Sequence, residues 1–533
     1  MDMKAGMSMK EGAEWLWNAS RGYRSPILAG ILAGTVRIGV SLTFVWFCKH
    51  LIDTATHQAD GNIILGLAAM AGCIVLQLLL SALVSRLYAH TEISLRNRLR
   101  QDLLEHILKS RWNGRETFHS GDMLNRMEED VRTVTDLLAG SIPLVGTTLF
   151  QLAGAALFLF CLDRRMAVVI LLIMPLALLC SKLYMKRMRR LTREIRATDS
   201  RVQSHLQENL QHRTLISVLE CTPVAADTMS SLQSGLKRLG MRRNSFSIFS
   251  SIMVQAGFAL GYVTAFAWGI YGLDTGTVTF GTLAAFLQLV AQVQRPVVEL
   301  ARQVPVFIGA LTSVERIDEL NSMPLEEQGE PVILGGKAGV RVENVTFTYP
   351  GGRRKVLEHF TYDFKPGSLT AVLGETGSGK STLVRLILAL LQPDGGNITL
   401  YDKTRPVPVS PLTRGNFVYV PQGNTLVSGT LRDNLLLGNP EATDGQMREA
   451  LHTAAADFVR ELPQGLDTPC GEMGTGISEG QAQRIAIARG LLRPGNIVLL
   501  DEPTSFLDIK GKIELLTILQ KLAHEQGLAV IVS

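Results

Sequence analysis

The residues best suited to chemistry form a glycine-rich loop. The loop consists of Gly374, Glu375, Thr376, Gly377, Ser378, Gly379, Lys380, Ser381 and Thr382. The apolar run Leu369 to Leu373 precedes it and Leu383 to Leu388 follows, so the predicted order is strand, loop, helix. The pattern G-x-x-x-x-G-K-[ST] surrounds a polyphosphate with backbone N–H groups and a helix N-terminus. It predicts that Lys380 reaches the outer phosphates and that Ser381 holds Mg²⁺.

Two adjacent acids form a second candidate site further along the chain. The apolar strand Ile497 to Leu500 ends in Asp501 and Glu502. Ligands bind at the carboxyl edge of parallel sheets, where one carboxylate can bind Mg²⁺ and its neighbour can polarise an attacking water. A glycine-rich turn matches the phosphate pattern by chance in some proteins, and two acids after a strand are common. Together and in this order, however, they predict an ATPase that binds ATP and Mg²⁺.

The elements that must position these residues alternate between strands and helices. They are Val342–Thr348, Ser368–Leu373, Leu383–Leu391, Phe417–Val420 and Ile497–Leu500. This alternation predicts a soluble domain from about Val340 with a mainly parallel α/β sheet. Residues 321–339 contain Pro, Gly and Glu and are typical of a linker.

The first 320 residues are a different kind of protein, because their apolar residues are grouped into long runs. Six runs are long and apolar enough to cross about 30 Å of hydrocarbon: Pro26–Cys48, Ile63–Ser85, Leu137–Leu162, Met166–Ser181, Ser247–Leu273 and Val278–Val293. Glu11–Arg24 has tryptophans among charges, which favours a helix in the membrane interface, although a buried helix is also compatible. Glu92–Lys109 and Arg295–Leu320 are predicted to extend spans as helices beyond the membrane.

The positions of the basic residues along the chain predict which segments are cytoplasmic. Lys and Arg number 53 against 48 Asp and Glu, and a formal charge of +5 is too mild to indicate nucleic-acid binding. The basic residues concentrate between the second and third spans and between the fourth and fifth, which predicts that both connections and both termini are cytoplasmic. No interleaved aromatic residues accompany them, so nucleic acid is not expected as a partner.

Arg37 is the only full charge within a predicted span. An intramembrane charge costs at least ~2.5 kcal/mol unless it faces water, protein or an anion. Arg37 therefore either faces a cavity or lies close to an end of the first span and extends its side chain to the interface. The sequence leaves both interpretations open.

A third motif gives the strongest resemblance to a known family. Ile477, Ser478, Glu479, Gly480 and Gln481 precede the run from Ala482 to Arg489. This segment resembles the signature of the ATP-binding-cassette (ABC) family. It departs from the commonest form, L-S-G-G-Q, at Ile477 and Glu479. The resemblance implies that Ser478, Gly480 and Gln481 touch the γ-phosphate of ATP bound by a second nucleotide-binding domain, so that two chains must pair.

Further segments match the family in the expected order. By resemblance, Tyr349 stacks on adenine and Gln422 links Mg²⁺ to the membrane domain, although Tyr349 alone could be a core residue and Gln422 alone a turn residue. Five segments are similar to other family elements: Ser505–Asp508 to a loop that crosses the dimer, Gly471–Gly474 and Gly429–Asn434 to exporter segments, and Ser120–Arg126 with Asp130 and Gln211–Leu219 to the two coupling segments.

The resemblance implies an ABC exporter half-transporter. We expect an α-helical membrane domain over residues 1–320 with cytoplasmic extensions, a linker over 321–339, and an α/β nucleotide-binding domain with a helical subdomain over 340–533. The expected function is ATP-driven export of a small or amphiphilic substrate across the inner membrane, with Glu502, Gln422 and Lys380 catalytic and Ser381, Gln422 and Asp501 around the metal. A homodimer is favoured over a heterodimer. The alternative is an ATP-binding subunit that hydrolyses poorly or regulates a heterodimer; a soluble ATPase does not explain six spans.

The last residues predict a further departure from the family. Leu528–Ser533 is an apolar strand that in the family leads into a switch histidine, and His524 precedes this strand inside a predicted helix, Lys512–Gln526. We expect from the sequence that the domain is truncated at its C-terminus and that its turnover is slowed.

Overall fold

The computed structural model describes the backbone of residues 7–112, 120–352, 354–375, 377–471, 476–504 and 509–533. Within these ranges, the side chains of residues 120, 171–187, 189, 250 and 510 are outside the description. The chain divides into two compact units. The first contains Met1–Asp102 and Asn125–Asp318, and the second contains Leu103–Leu124 and Glu319–Ser533.

Helices, most of them long, make up most of the part of the chain before residue 322. They are α1 (Met9–Ala19), α2 (Arg24–Ala55), α3 (Ile63–Lys109), α4 (Ser120–Asn125), α5 (Val131–Asp136), α6 (Ile142–Leu162), α7 (Arg164–Gln211), α8 (Arg213–Val218), α9 (Thr222–Asp274) and α10 (Phe280–Asn321). Wider π-helical turns at Arg126–Asp130 and Leu137–Ser141 flank α5. The predicted extensions of the second and sixth spans are confirmed, because α3 and α10 continue unbroken to Lys109 and Asn321.

Five described helices are long and apolar enough to cross a membrane. They are Arg24–Ala55, Ile63–Lys109, Gly121–Leu162, Thr222–Asp274 and Phe280–Asn321, and each contains one predicted span or nearly all of it. The remaining predicted span, Met166–Ser181, lies in α7, but most of its side chains are outside the described residues. A helix satisfies its own backbone hydrogen bonds, so exposed apolar side chains along these helices suit a lipid environment.

Asp130 organises a buried polar network in the first unit. Its carboxylate accepts a hydrogen bond from Ser313 Oγ at 2.8 Å and forms an ion pair with Arg316 at 3.2 Å. Arg126 donates to the Arg316 carbonyl oxygen at 2.7 Å. Because Asp130 and Arg126 are buried and Ser313 and Arg316 belong to α10, this network fixes the π-helical turn against α10.

Among the described residues, the second unit contains two four-stranded sheets and a two-stranded antiparallel pair. Its strands are β1 (Gly339–Phe347), β2 (Leu357–Phe364), β3 (Leu369–Ala371), β4 (Gly395–Tyr401), β5 (Pro406–Pro408), β6 (Phe417–Val420), β7 (Gly429–Thr430), β8 (Pro469–Cys470), β9 (Ile497–Leu500) and β10 (Ala529–Val532). The order β3-β10-β9-β6 forms a parallel sheet and β2-β1-β4-β5 an antiparallel one, while β7 pairs with β8.

The sequence placed Val342–Thr348 in a mainly parallel sheet, and this was wrong. β1 pairs antiparallel with both β2 and β4. The physical reason is visible in its residues: Val340 and Val342 are buried while Arg341 and Glu343 are exposed, so only one face of the strand is covered. Parallel strands are covered on both faces, as in β9, where all four residues are buried.

Helices pack against the parallel sheet and against one another. They are α11 (Lys380–Ile387), α12 (Leu431–Leu436), α13 (Asp444–Thr453), α14 (Glu479–Leu492) and α15 (Ile509–Gln526), with 3₁₀ turns at Pro411–Asn416, Asp457–Glu461 and Gly465–Asp467. Alternate residues of β9 enter two apolar cores: Val498 and Leu500 pack in the core that includes Ile485, and Ile497 and Leu499 pack in the core that includes Leu386. This double burial fixes the strand that carries the two acids.

The end of α3 is part of the second unit. The Arg111 amide donates to the Pro324 carbonyl oxygen at 2.8 Å, and the Glu326 amide donates to the Lys109 carbonyl oxygen at 2.9 Å. Arg414 then holds the Glu326 carboxylate with two parallel hydrogen bonds of 2.6 and 2.8 Å. Such a bidentate pair is the geometry in which guanidinium and carboxylate bind most strongly, so the segment after α10 is fixed to this unit.

Candidate active site

Two glycines give the phosphate loop its shape. The loop follows β3, and Gly379 precedes the first residue of α11. Gly377 and Gly379 have φ angles of +82° and +101°, which side chains rarely adopt, and a Cβ on Gly379 would lie 3.1 Å from the Val356 carbonyl oxygen. Glycine is therefore required where the chain turns into the helix, and the free N–H groups of the first helical turn follow at once. Thr376 lies outside the described residues.

Lys380 closes over the loop. Its Nζ donates to the carbonyl oxygens of Gly374 at 2.7 Å and Glu375 at 3.1 Å. These partners are neutral, so the ammonium can turn to phosphate oxygens without breaking an ion pair. The side chain is thus held close to the place where the sequence predicts the outer phosphates.

Ser381 and Asp501, two of the three residues predicted around the metal, are hydrogen-bonded to each other; the third, Gln422, bonds to Glu502. Ser381 Oγ donates to Asp501 Oδ1 at 3.1 Å, and Ser533 Oγ donates to the same oxygen at 2.6 Å. Asp501 is only 4% exposed. A hydroxyl and a buried carboxylate side by side are the oxygen ligands that a hard cation such as Mg²⁺ takes. Burial, and next the charge of Asp501, raise the pKa of Tyr419, so this neighbouring phenol stays neutral.

Glu502 points to a different partner. Its Oε2 accepts a hydrogen bond from Gln422 Nε2 at 2.6 Å, which brings together two residues predicted to be catalytic. The Glu502 backbone has a φ of +47° and its N–H donates to the Ser533 carbonyl oxygen. A left-handed non-glycine residue costs on the order of 1–3 kcal/mol and persists where its surroundings hold it, as the Ser533 carbonyl oxygen does here. The Asp501 carboxylate is thus bound by two serine hydroxyls, and the Glu502 carboxylate is bound by the Gln422 amide.

Tyr349 is held by two groups, one of which sequence reasoning missed. Its hydroxyl lies 3.0 Å from Thr382 Oγ1 and accepts from Arg385 Nη1 at 3.3 Å. The Arg385 guanidinium also lies over the Trp112 ring, 5.1 Å from its centroid. The sequence shows Arg385 one helical turn after Ser381, but it does not show the partners of Arg385, which are distant in the sequence. The arrangement orients the Tyr349 ring beside the phosphate loop.

We expect Arg385→Met to raise the KM for ATP about 2- to 10-fold, the value of one hydrogen bond, with little change in kcat. The reason is that Arg385 orients Tyr349, which by resemblance stacks on adenine, and does not touch the reacting phosphate. Steady-state ATPase assays over a range of ATP concentrations measure both parameters. The exposed Arg405→Met is the control, and a fall in kcat at unchanged KM would contradict a positioning role for Arg385.

The signature residues form the start of α14. Ser478 caps this helix: its Oγ accepts from the Gln481 amide at 3.3 Å, and Gln481 Oε1 accepts from the Ser478 amide at 3.1 Å. Ser478 and Glu479 are exposed, and Gly480 is half-buried in the first turn. In the described part of the chain, these side chains bond to each other and not to the phosphate loop. The helix N-terminus is thus open to an anion from outside.

Some sequence assignments cannot be compared with the geometry. Ser505–Asp508 and Glu472–Gly474 are outside the described residues. Gly429–Asn434 forms β7 and the start of α12, and the predicted coupling segments coincide with the short helices α4 and α8. The roles assigned to these segments, and those of the individual site residues, stay predictions.

Two family models match the chain. One, described as the ABC transporter transmembrane region, matches residues 27–297, and the other, described as ABC transporter, matches residues 357–505. A solved structure of a bacterial Atm1-family ABC exporter with ATP bound has the same fold, with a TM-score of 0.79, 21% identity, and coverage of 96% of this chain and 91% of that one.

Curated relatives extend over most of the sequence. A multidrug resistance ABC transporter ATP-binding and permease protein of Lactococcus lactis is 27% identical over 493 residues, which cover 91% of this chain and 82% of the relative. A fatty acid ABC transporter ATP-binding/permease protein of Mycobacterium tuberculosis is 28% identical over 413 residues, covering 76% and 64% respectively.

Proposed function

The chain belongs to the ABC transporter family, whose transport is driven by ATP hydrolysis, and we propose that it exports an amphiphilic small molecule or lipid as a homodimer. We place it in the cytoplasmic membrane, with its nucleotide-binding domain in the cytoplasm, by the basic connections between spans. The names of the relatives, one for multidrug resistance and one for fatty acids, support an amphiphilic substrate.

The observation that carries the proposal is the separation of two half-sites within one domain. The phosphate loop with Lys380 has its own hydrogen bonds, and the capped, exposed start of α14 has others. The phosphate loop and the start of α14 each present N–H groups to an anion, and among the described residues neither half-site supplies hydrogen-bond partners to the other. Pairing with a second copy would bring the start of α14 in one chain to the phosphates held by the loop of the other.

The chain's own residues then supply the steps of hydrolysis. Lys380 holds the outer phosphates, and Ser381 and Asp501 supply oxygen ligands for Mg²⁺, which neutralises phosphate charge when it is bound. Glu502 polarises the attacking water, and the Gln422 amide holds the Glu502 carboxylate in position. Alternating access follows if closing of the two domains moves the spans between inward-facing and outward-facing states.

The proposal is tested by reconstituting the full chain in liposomes and measuring ATP-dependent movement of a fluorescent amphiphilic dye. We expect movement only with ATP and Mg²⁺, and none with Glu502→Gln. The oligomeric state is measured on the same sample. A monomer with full ATPase activity would contradict the homodimer, and hydrolysis without movement of any amphiphile would favour the alternative, a regulatory subunit.

Glu479 gives a specific test of the shared site. We expect Glu479→Gln to lower the ATP concentration for half-maximal hydrolysis about 2- to 5-fold at low salt, because the exposed carboxylate opposes phosphate at the start of α14. The effect should shrink at high salt, where charges are screened. The exposed Glu441→Gln is the matched control. An ATP dependence that equals the parent's at both salt concentrations would indicate that α14 does not face nucleotide.

A further inference from the structure

The first unit contains a cavity of about 370 Å³ lined by residues of α2, α3 and α6. Its polar lining residues are Arg37, Ser41, Gln77, Ser81 and Gln151, which we call the Arg37 cluster. All five lie in helices that are long and apolar enough to span the membrane. An ionisable side chain within a span is rare and marks a substrate or ion pathway, whereas Ser and Gln also form hydrogen bonds between packed helices. Arg37 is therefore the residue that points to a ligand.

Arg37 lies far from both ends of its helix. It is 13 residues from Arg24 and 18 from Ala55, the two ends of α2 (37 − 24 and 55 − 37). At 1.5 Å per residue these separations are about 20 and 27 Å along the axis. Arg37 is also at the middle of the predicted span Pro26–Cys48, which favours a side chain that faces a cavity over one that extends to the interface. Its charge then needs partners within the unit.

The Arg37 charge has little compensation from the described residues. Its one hydrogen bond among them is long, from Nη1 to Ser81 Oγ at 3.5 Å. The sequence has no Asp or Glu in Arg24–Ile52, Ile63–Ser85 or Ile142–Leu162, the segments that supply the cavity walls. A guanidinium has five N–H donors, so most of its hydrogen-bonding capacity faces the cavity or water.

The side-chain amides of two neighbouring glutamines, Gln151 and Gln292, also form only long hydrogen bonds. Gln151 Nε2 donates to the Gln292 carbonyl oxygen, and Gln292 Nε2 donates to Ser41 Oγ, each at 3.5 Å. Gln292 Oε1 is buried and has no hydrogen-bond partner among the described residues. Buried polar atoms in native proteins are normally paired, and bonds of this length are weak. The polar groups around the cavity are therefore not satisfied by one another.

Resting on the proposed export function, we propose that the Arg37 cluster binds the anionic headgroup of an amphiphilic substrate. The guanidinium, two amides and two hydroxyls all donate hydrogen bonds to carboxylate or phosphate oxygens. Ile38, Ile74 and Leu78 complete the lining and contact the adjoining apolar part of the substrate. The volume is in the range of small-molecule sites.

The test is equilibrium binding of radiolabelled dodecanoate to the full chain in phosphatidylcholine nanodiscs without ATP, with empty nanodiscs subtracted. We expect Arg37→Gln to raise the Kd about tenfold or more and Arg37→Lys to raise it less, because a charge-assisted hydrogen bond is lost in the first and partly kept in the second. Gln77→Leu, which keeps the charge, should weaken binding by a smaller factor. Arg86→Gln, an exposed residue of α3, is the control.

Competition defines the headgroup. Dodecyl phosphate should displace dodecanoate, whereas dodecyltrimethylammonium, acetate and inorganic phosphate should not. Equal displacement by the cation or by acetate, or a Kd unchanged in both Arg37→Gln and Gln77→Leu, would overturn the proposal. Thermal unfolding identifies any variant that fails to fold. Because no ATP is used, Arg37-dependent binding without dye export would refute the export function and leave this site standing.

Discussion

Glu502→Gln is expected to stop ATP turnover while ATP binding is preserved. The carboxylate is the group that polarises water in the proposed reaction, and a general base contributes on the order of 10²–10⁴ in rate. The amide of glutamine has the same shape but cannot accept the proton. Binding should remain because the proposal assigns the phosphates and the metal to Lys380, Ser381 and Asp501, and in the described part of the chain none of the hydrogen bonds that hold these three side chains involves Glu502.

Two measurements separate these effects. Phosphate release reports turnover, and equilibrium binding of a fluorescent ATP analogue reports affinity. Glu525→Gln in α15 is the matched control, since its side chain is 64% exposed and its surface ion pair contributes little. Hydrolysis at the parent rate in Glu502→Gln would refute the catalytic role of this carboxylate.

Lys380→Ala is expected to weaken ATP binding itself. The ammonium would make charge-assisted hydrogen bonds to phosphate oxygens, each contributing about 1.5–3 kcal/mol, and the loss of one weakens affinity roughly 10- to 150-fold. Lys380→Met keeps most of the apolar stem and should show the same loss, which separates charge from packing. The same fluorescent analogue measures the Kd.

The exposed Lys521→Ala is the control for the alanine substitution. Thermal unfolding without nucleotide should change little, because Lys380 bonds only to two loop carbonyl oxygens in the described structure. Addition of ATP should stabilise the parent and not the variant. If Lys380→Ala bound ATP as tightly as the parent, the loop would not hold nucleotide in the predicted way.

The sequence predicted best those elements that local pattern determines. Phe417–Val420 and Ile497–Leu500 were predicted with the bounds that β6 and β9 have, because each is a short apolar run buried on both faces. The loop from Gly374 was also predicted, since the glycine requirement acts over a few residues, and so was the helix after the signature at Ser478.

Features set by distant parts of the chain were not predictable. The antiparallel pairing of β1 depends on where β2 and β4 pass, and the Tyr349–Arg385–Trp112 contact joins residues from three separate segments. A glutamate gives no indication in the sequence that its backbone is left-handed. At Glu502 this conformation depends on the Ser533 carbonyl oxygen, which accepts a hydrogen bond from the Glu502 N–H and follows a different strand. These contacts join residues that are far apart in the sequence, so local sequence patterns do not predict them.

The presence of the α3 end within the second unit sets an order of assembly. Arg111 bonds to Gln392, 281 positions later in the chain. At about 5–20 residues per second, the ribosome needs roughly 15 to 60 s to synthesise that interval. Arg385, which lies over the Trp112 ring, is synthesised only after every span that follows Trp112.

Because of this delay, the second unit can be completed only after the intervening membrane helices have been made and inserted. A nascent chain in which an intervening span failed to insert would place the α3 end on the wrong side of the membrane from its later partners. Its apolar contact surface around Trp112 would then stay open to chaperones and proteases, which act on such surfaces. Chains with this surface exposed are therefore expected to be degraded faster than chains whose spans have all inserted.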